Sequence, residues 1–212
     1  MDQRKRPSTE RNPSFPVRWC SVGLLRSHRL ALFISQAVAS VSFGKAIGST
    51  KMTKSTKIDL GEFNNAPWPS TSTVKPYFTS PSQRNWAYWD VGAGGLISVD
   101  GIMGTELVAA ARGRANATLY ISGDRTHGLT LFHRLWDGRT ETVSSHYSRG
   151  DLSRRLEFVK TGDGDLLSVG LFISFEKAWL AVEDFMNSAG SLSKRIEWVS
   201  IRDLPTDTFP EP

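Results

Sequence analysis

The sequence has almost no cysteine: Cys20 is the only one in 212 residues. From residue 21 onward this excludes an internal disulfide framework, a cysteine nucleophile and a thiolate metal site. Acidic residues are missing too, from one region only, since none occurs between Arg11 and Ile58. The first 58 residues hold 11 Lys/Arg against 2 Asp/Glu, a balance of +9, whereas residues 59 to 212 hold 15 against 19, a balance of −4. The net positive charge of the chain is therefore a property of its first quarter. It gives no reason to expect the folded part to bind nucleic acid or an anionic membrane. The apolar stretch from Leu30 to Phe43 is too short for a membrane span.

Residues 1–57 read as a basic extension with three explanations. The opening "MDQRKRPSTERNPSFP" has almost no apolar residues and the composition of a disordered segment. Arg26 and Arg29 before an apolar run that ends among small residues resemble a signal or organelle transit peptide. An over-extended gene start is the preferred explanation, with translation beginning at Met52. A cytoplasmic location follows from that start, and an organelle or exported location follows if residues 1–51 are a genuine address. Asn116-Ala117-Thr118 matches the glycosylation acceptor pattern, which matters only in a secreted eukaryotic chain. Residues 58–84 carry prolines at 67, 69, 76 and 81 and show neither a helical nor a strand period. They read as an irregular lead-in, with Phe63, Trp68, Tyr77 and Phe78 strapped over the domain.

From residue 85 to 204 short apolar runs alternate with Gly and Asp. "GLISVDGI" (95–102) puts Leu96, Ser98 and Asp100 on one side and Ile97, Val99 and Gly101 on the other. With "TELVAAAR" it suggests a hairpin through Met103-Gly104. "ATLYIS" (117–122), "LTLFHRLW" (129–136) and "ETVSSHY" (141–147) continue an antiparallel meander, and "RRLEFVK" with "LLSVGLFI" suggests a further pair across "TGDGD". Ser174 is a suitable N-cap, Glu176 lies in the first turn, and Gly190 is placed to end a helix. Between them Phe175, Ala178, Trp179, Val182, Phe185 and Met186 fall on one helical face. A sheet must cover that stripe, and "KRIEWVSI" (194–201) returns as a last strand. The pattern predicts an α+β domain: an antiparallel meander sheet with one C-terminal amphipathic helix packed on one face, followed by a tail at 205–212.

No motif displays a reaction centre or calls for a cofactor or metal. His133 and His146 can meet across adjacent strands, with Asp137 or Glu141 nearby, and the alternative function is a small hydrolase-like enzyme built on them or a ligand-binding α+β protein using polar residues on the sheet. Their spacing is that of no ligand motif, and polar residues at alternate strand positions are ordinary. Asp124-Arg125-Thr126-His127 has the composition of a turn. The glycines of 92–95 lack the helix and Lys-Ser/Thr pair of a phosphate loop. Thr161 to Asp165 lacks the later oxygen ligands of a calcium loop. Glu183 and Asp184 read as solvated charges on the helix's polar side. The seven tryptophans are the anomaly, with Trp86 and Trp89 in "NWAYWD" reading either as a core lid or as a partner-binding patch.

Three stretches together, Leu96 to Gly101, Phe175 to Gly190 with Phe185 ahead of the glycine, and Ile196 to Val199 with its tryptophan, carry a resemblance. Over about residues 86–204 the chain resembles bacterial immunity proteins of polymorphic toxin systems, those with a small sheet and a late helix. The resemblance implies a non-catalytic protein that neutralises a cognate protein toxin by covering its active site, and it carries over no catalytic residue. The acidic balance of the domain fits a basic toxin. The candidate contacts are Trp86, Trp89, Asp137, Glu141, Asp163 and Asp165.

Overall fold

The computed structural model describes residues 55–63, 68–81, 93–108, 113–160 and 166–210. The chain divides into two units, Met1–Ala46 with Glu211–Pro212, and Ile47–Pro210, and every described residue belongs to the second. Six strands form one antiparallel sheet in the order β1 (Ser55–Leu60), β2 (Ala93–Ile102), β3 (Ala115–Asp124), β4 (Gly128–Asp137), β5 (Thr142–Ser148) and β8 (Trp198–Ser200). Two short strands, β6 (Phe158–Lys160) and β7 (Leu166–Ser168), form a separate hairpin. The α+β meander expected from the sequence is the fold.

The alternation that defines the strands also sorts their residues between two faces. Ile58 and Leu60, Ile97 and Val99, Leu119 and Ile121, and Leu129 and Leu131 are buried on one face. Across it lies α3 (Phe175–Asn187), whose Ala178, Trp179, Ala181, Val182, Phe185 and Met186 are buried. Burying each large apolar side chain contributes roughly 1.5–3 kcal/mol, so this layer dominates stability. Ser174 caps the helix by accepting from the Lys177 amide. At the other end Ala189 and Gly190 turn left-handed, with φ of 59° and 91°. A Cβ on Gly190 would lie 2.7 Å from that of Ala117, so the glycine also lets the helix end sit against β3.

The sheet begins earlier than the sequence suggested. Ser55–Leu60 is a full strand paired with β2 along six residues, where no strand period was legible. Thr71–Val74 (α1) and Pro76–Thr79 (α2) are short helices, not irregular chain, and α1 opens with a Ser70 cap. Phe63, Tyr77 and Phe78 are buried in the core, as a strap would be, with Phe78 5.7 Å from Trp179 between ring centres. The expected partner of β2 is also different. β2 pairs with β3, and Thr105 to Val108 form turn and loop between them. There the Thr105 hydroxyl donates to the Ile102 carbonyl and accepts from the Ala115 amide. "TELV" is thus a hydrogen-bonded loop. β6 and β7 pair as the expected hairpin but over three residues each, with Val169–Leu171 a 3-10 turn instead of strand, while Asp163 and Asp165 lie outside the described residues. The last strand is shorter than "KRIEWVSI", comprising Trp198–Ser200 only.

Candidate functional site

Three features position the chemistry-bearing side chains: the register of β3, β4 and β5, the turns that join them, and the end of α3. In the β4–β5 register His133 lies directly opposite His146, on the helix side of the sheet. The structure brings these two residues together. His133 is buried, and its Nε2 donates to the Gly190 carbonyl at 2.9 Å, leaving Nδ1 without a partner. Burial pushes its pKa below the ordinary value, the Gly190 carbonyl opposes that shift, and nearby His146 adds to it. The ring meets Phe185 and Trp198 edge-on. Ser144 Oγ stands 3.4 Å from His146 Nδ1, at the outer limit of a hydrogen bond. His133, Ser144 and His146 line a cavity of about 230 Å³ together with Glu106, Leu135 and residues 188–192 at the end of α3.

Asp137 and Glu141 are not part of that cavity. They sit in the β4–β5 turn, where Asp137 accepts from the Arg139 amide and from its guanidinium at 2.9 and 2.7 Å. Arg139 beside it holds the Asp137 carboxyl at a pKa of about 2. Glu141 has a left-handed backbone, φ 54°, which closes the turn into β5. Asp124 likewise serves a turn, accepting from the Thr126 and His127 amides at 2.7 Å each. Glu183 and Asp184 are not free solvated charges. Arg195 clamps both, at 2.8 and 2.6 Å, and Ser193 donates to Asp184 at 2.6 Å. Among the described residues no three His, Cys, Asp or Glu side chains are grouped to hold a metal ion. No described helix is long and apolar enough to cross a membrane. Trp86 and Trp89 lie outside the described residues.

The opposite face of the sheet holds what sequence reasoning missed. Leu96, Tyr120, Phe132, Tyr147 and Val199 stand opposite one another in a single row across five strands. Phe132 stacks on Tyr147 at 4.6 Å between ring centres, Tyr120 lies 5.8 Å from Phe132, and Phe209 of the tail lies 5.4 Å from Tyr147. Trp136 and Val143 pair on the same face toward the β4–β5 turn. Tyr120, Val143 and Phe209 are 37%, 38% and 37% exposed. α3 packs on the other side, and the tail, with the 3-10 turn Thr206–Thr208, brings Phe209 onto the Tyr147 end of this stripe. Each aromatic was legible as a strand residue, but their alignment depends on a register that no single strand encodes.

Comparison of the chain with protein-family models, with curated proteins and with solved structures gives no match.

Proposed function

We propose that this is a non-catalytic binding protein that holds a protein partner on the open face of its sheet, and that the partner is a cognate toxin. The observation that carries the proposal is the aromatic row from Tyr120 through Phe132 and Tyr147 to Phe209. Partly exposed aromatics held by a rigid framework give large contact area at low entropic cost, and they are the usual anchors of protein interfaces. Arg134 shares the face of Phe132 and Trp136 and supplies a charge beside the row, whereas Asp137, Arg139 and Glu141 lie in the turn at the sheet's edge. The acidic balance of residues 59 to 212 supports a basic partner. Against a catalytic role, Asp137, Asp124 and the Glu183/Asp184 pair are each engaged in turns or clamps that hold the fold.

The test is co-expression with candidate toxin domains drawn from the genes beside this chain's own. Protection of growth, lost on Tyr120→Glu or Phe132→Glu substitution in protein that still folds, is the expected result. Protection that survives both substitutions, or no protection by the native chain, refutes the proposal.

A further inference from the structure

We propose that the outer edge of β1 pairs with the same edge of a second copy of this chain, giving a symmetric dimer whose sheet runs unbroken through both copies. In the strand order β1 ends the sheet, with β2 on one side and no described strand on the other. It offers six residues, whereas the opposite edge, β8, offers three. An unpaired edge presents a row of backbone donors and acceptors, which is a template for a further strand. Natural edges are commonly blocked by a bulge, a proline or a lysine. Ser55–Leu60 pairs with β2 through consecutive positions and contains neither bulge nor proline. It does carry Lys57, and Asp59 two residues on changes what that lysine does.

Ile58 and Leu60 are buried in the core, so Lys57 and Asp59 share the open face, where Lys57 is exposed and Asp59 half-buried. Among the described residues neither side chain has an ion-pair partner. Antiparallel self-pairing centred on Lys57 sets lysine against lysine, and centred on Asp59 it sets aspartate against aspartate. Centred on Ile58, it places each Lys57 directly opposite Asp59 of the other copy, and symmetry makes the match twice. Opposite charges across a strand pair are favourable and like charges are not, so the lysine that blocks the neighbouring registers selects this one. The two-fold axis then stands perpendicular to the sheet, and both open faces look the same way. Asp59 is opposite Leu96, where the aromatic row begins, so the two rows run toward each other. They are offset by two residues, or about 7 Å. The pairing uses an edge and leaves the open face free, so it is independent of the partner proposed for that face.

The experiment is sedimentation velocity of the full chain from about 5 to about 500 µM, with circular dichroism to check the fold of each variant. The native chain is expected to dimerise with a dissociation constant on the order of 10 µM, weak as suits so short an edge. Asp59→Lys and Lys57→Asp alone each weaken it about tenfold or more, because both matches become like-charge pairs. Mixing those two variants, one edge all positive and the other all negative, restores the dimer, and so does combining both substitutions in one chain. A native chain that stays monomeric throughout, a dimer unchanged by either single reversal, or single variants that stay monomeric when mixed overturns the proposal.

Discussion

Ser148 has no exposed surface, yet it is polar because its hydroxyl joins β4 to the 3-10 turn Val169–Leu171. Its hydroxyl accepts from the Leu131 amide at 2.9 Å and donates to the Leu171 carbonyl at 2.8 Å. Just beyond it, Ile173 takes over as neighbour of Leu129 in β4. Ser148→Ala strands a buried donor and a buried acceptor together, so a loss of about 2–4 kcal/mol is expected in urea unfolding. Glu141 presents the reverse case. Its φ of 54° suits glycine better than glutamate, and Glu141→Gly is expected to raise stability by up to about 1 kcal/mol. His133 makes stability depend on pH in a definite direction. Its native pKa is depressed, so the unfolded chain binds the proton first. The contribution of the neutral ring is complete above about pH 6.5 and is lost as pH falls toward the native value. Unfolding free energies measured from pH 7.5 to 5 are expected to fall less steeply in His133→Phe than in the native chain.

Elements depend on contacts that sequence spacing displays unevenly. The helix α3 was legible from Ser174 to Gly190, because cap, apolar stripe and glycine stop are all local signals. β1 was not, since "STKIDL" offers only Ile58 and Leu60 as inward residues and its strand character comes from pairing with β2. The His133–His146 juxtaposition was visible as a possibility, because neighbouring strands with a short turn leave few registers. The aromatic row was hidden, since it needs the registers of β2 through β8 at once. Arg195 was hidden for a related reason: its partners Glu183 and Asp184 are local on the helix, but the clamp closes only after the chain reverses at Gly190. It ties α3 to the approach to β8, and it is half-open to solvent, so Arg195→Ala is expected to cost about 1 kcal/mol or less. Lysine cannot reproduce the forked geometry and should recover only part of that loss. Gly128 is the stricter element-level constraint. Its φ is 94°, and a Cβ there would lie 2.3 Å from the Ile173 carbonyl oxygen, so Gly128→Ala should separate β4 from that segment and unfold the protein at a markedly lower temperature.

At the scale of the whole molecule, one face of the sheet is given to the core and the other to an aligned aromatic row. The first face explains stability through α3, the strap residues Phe63, Tyr77 and Phe78, and the apolar strand positions. The second has aromatic side chains beyond what the core uses, and the proposal assigns them to a protein partner. The most direct test is calorimetric affinity between the purified chain and the proposed toxin partner, taken from the genes beside its own, measured for native protein, Tyr120→Glu and Glu106→Gln. Strong binding by native protein and Glu106→Gln, weakened about a hundredfold or more by Tyr120→Glu with an unchanged circular dichroism spectrum, is what the open-face proposal predicts. Equal affinity of Tyr120→Glu and native protein would contradict it.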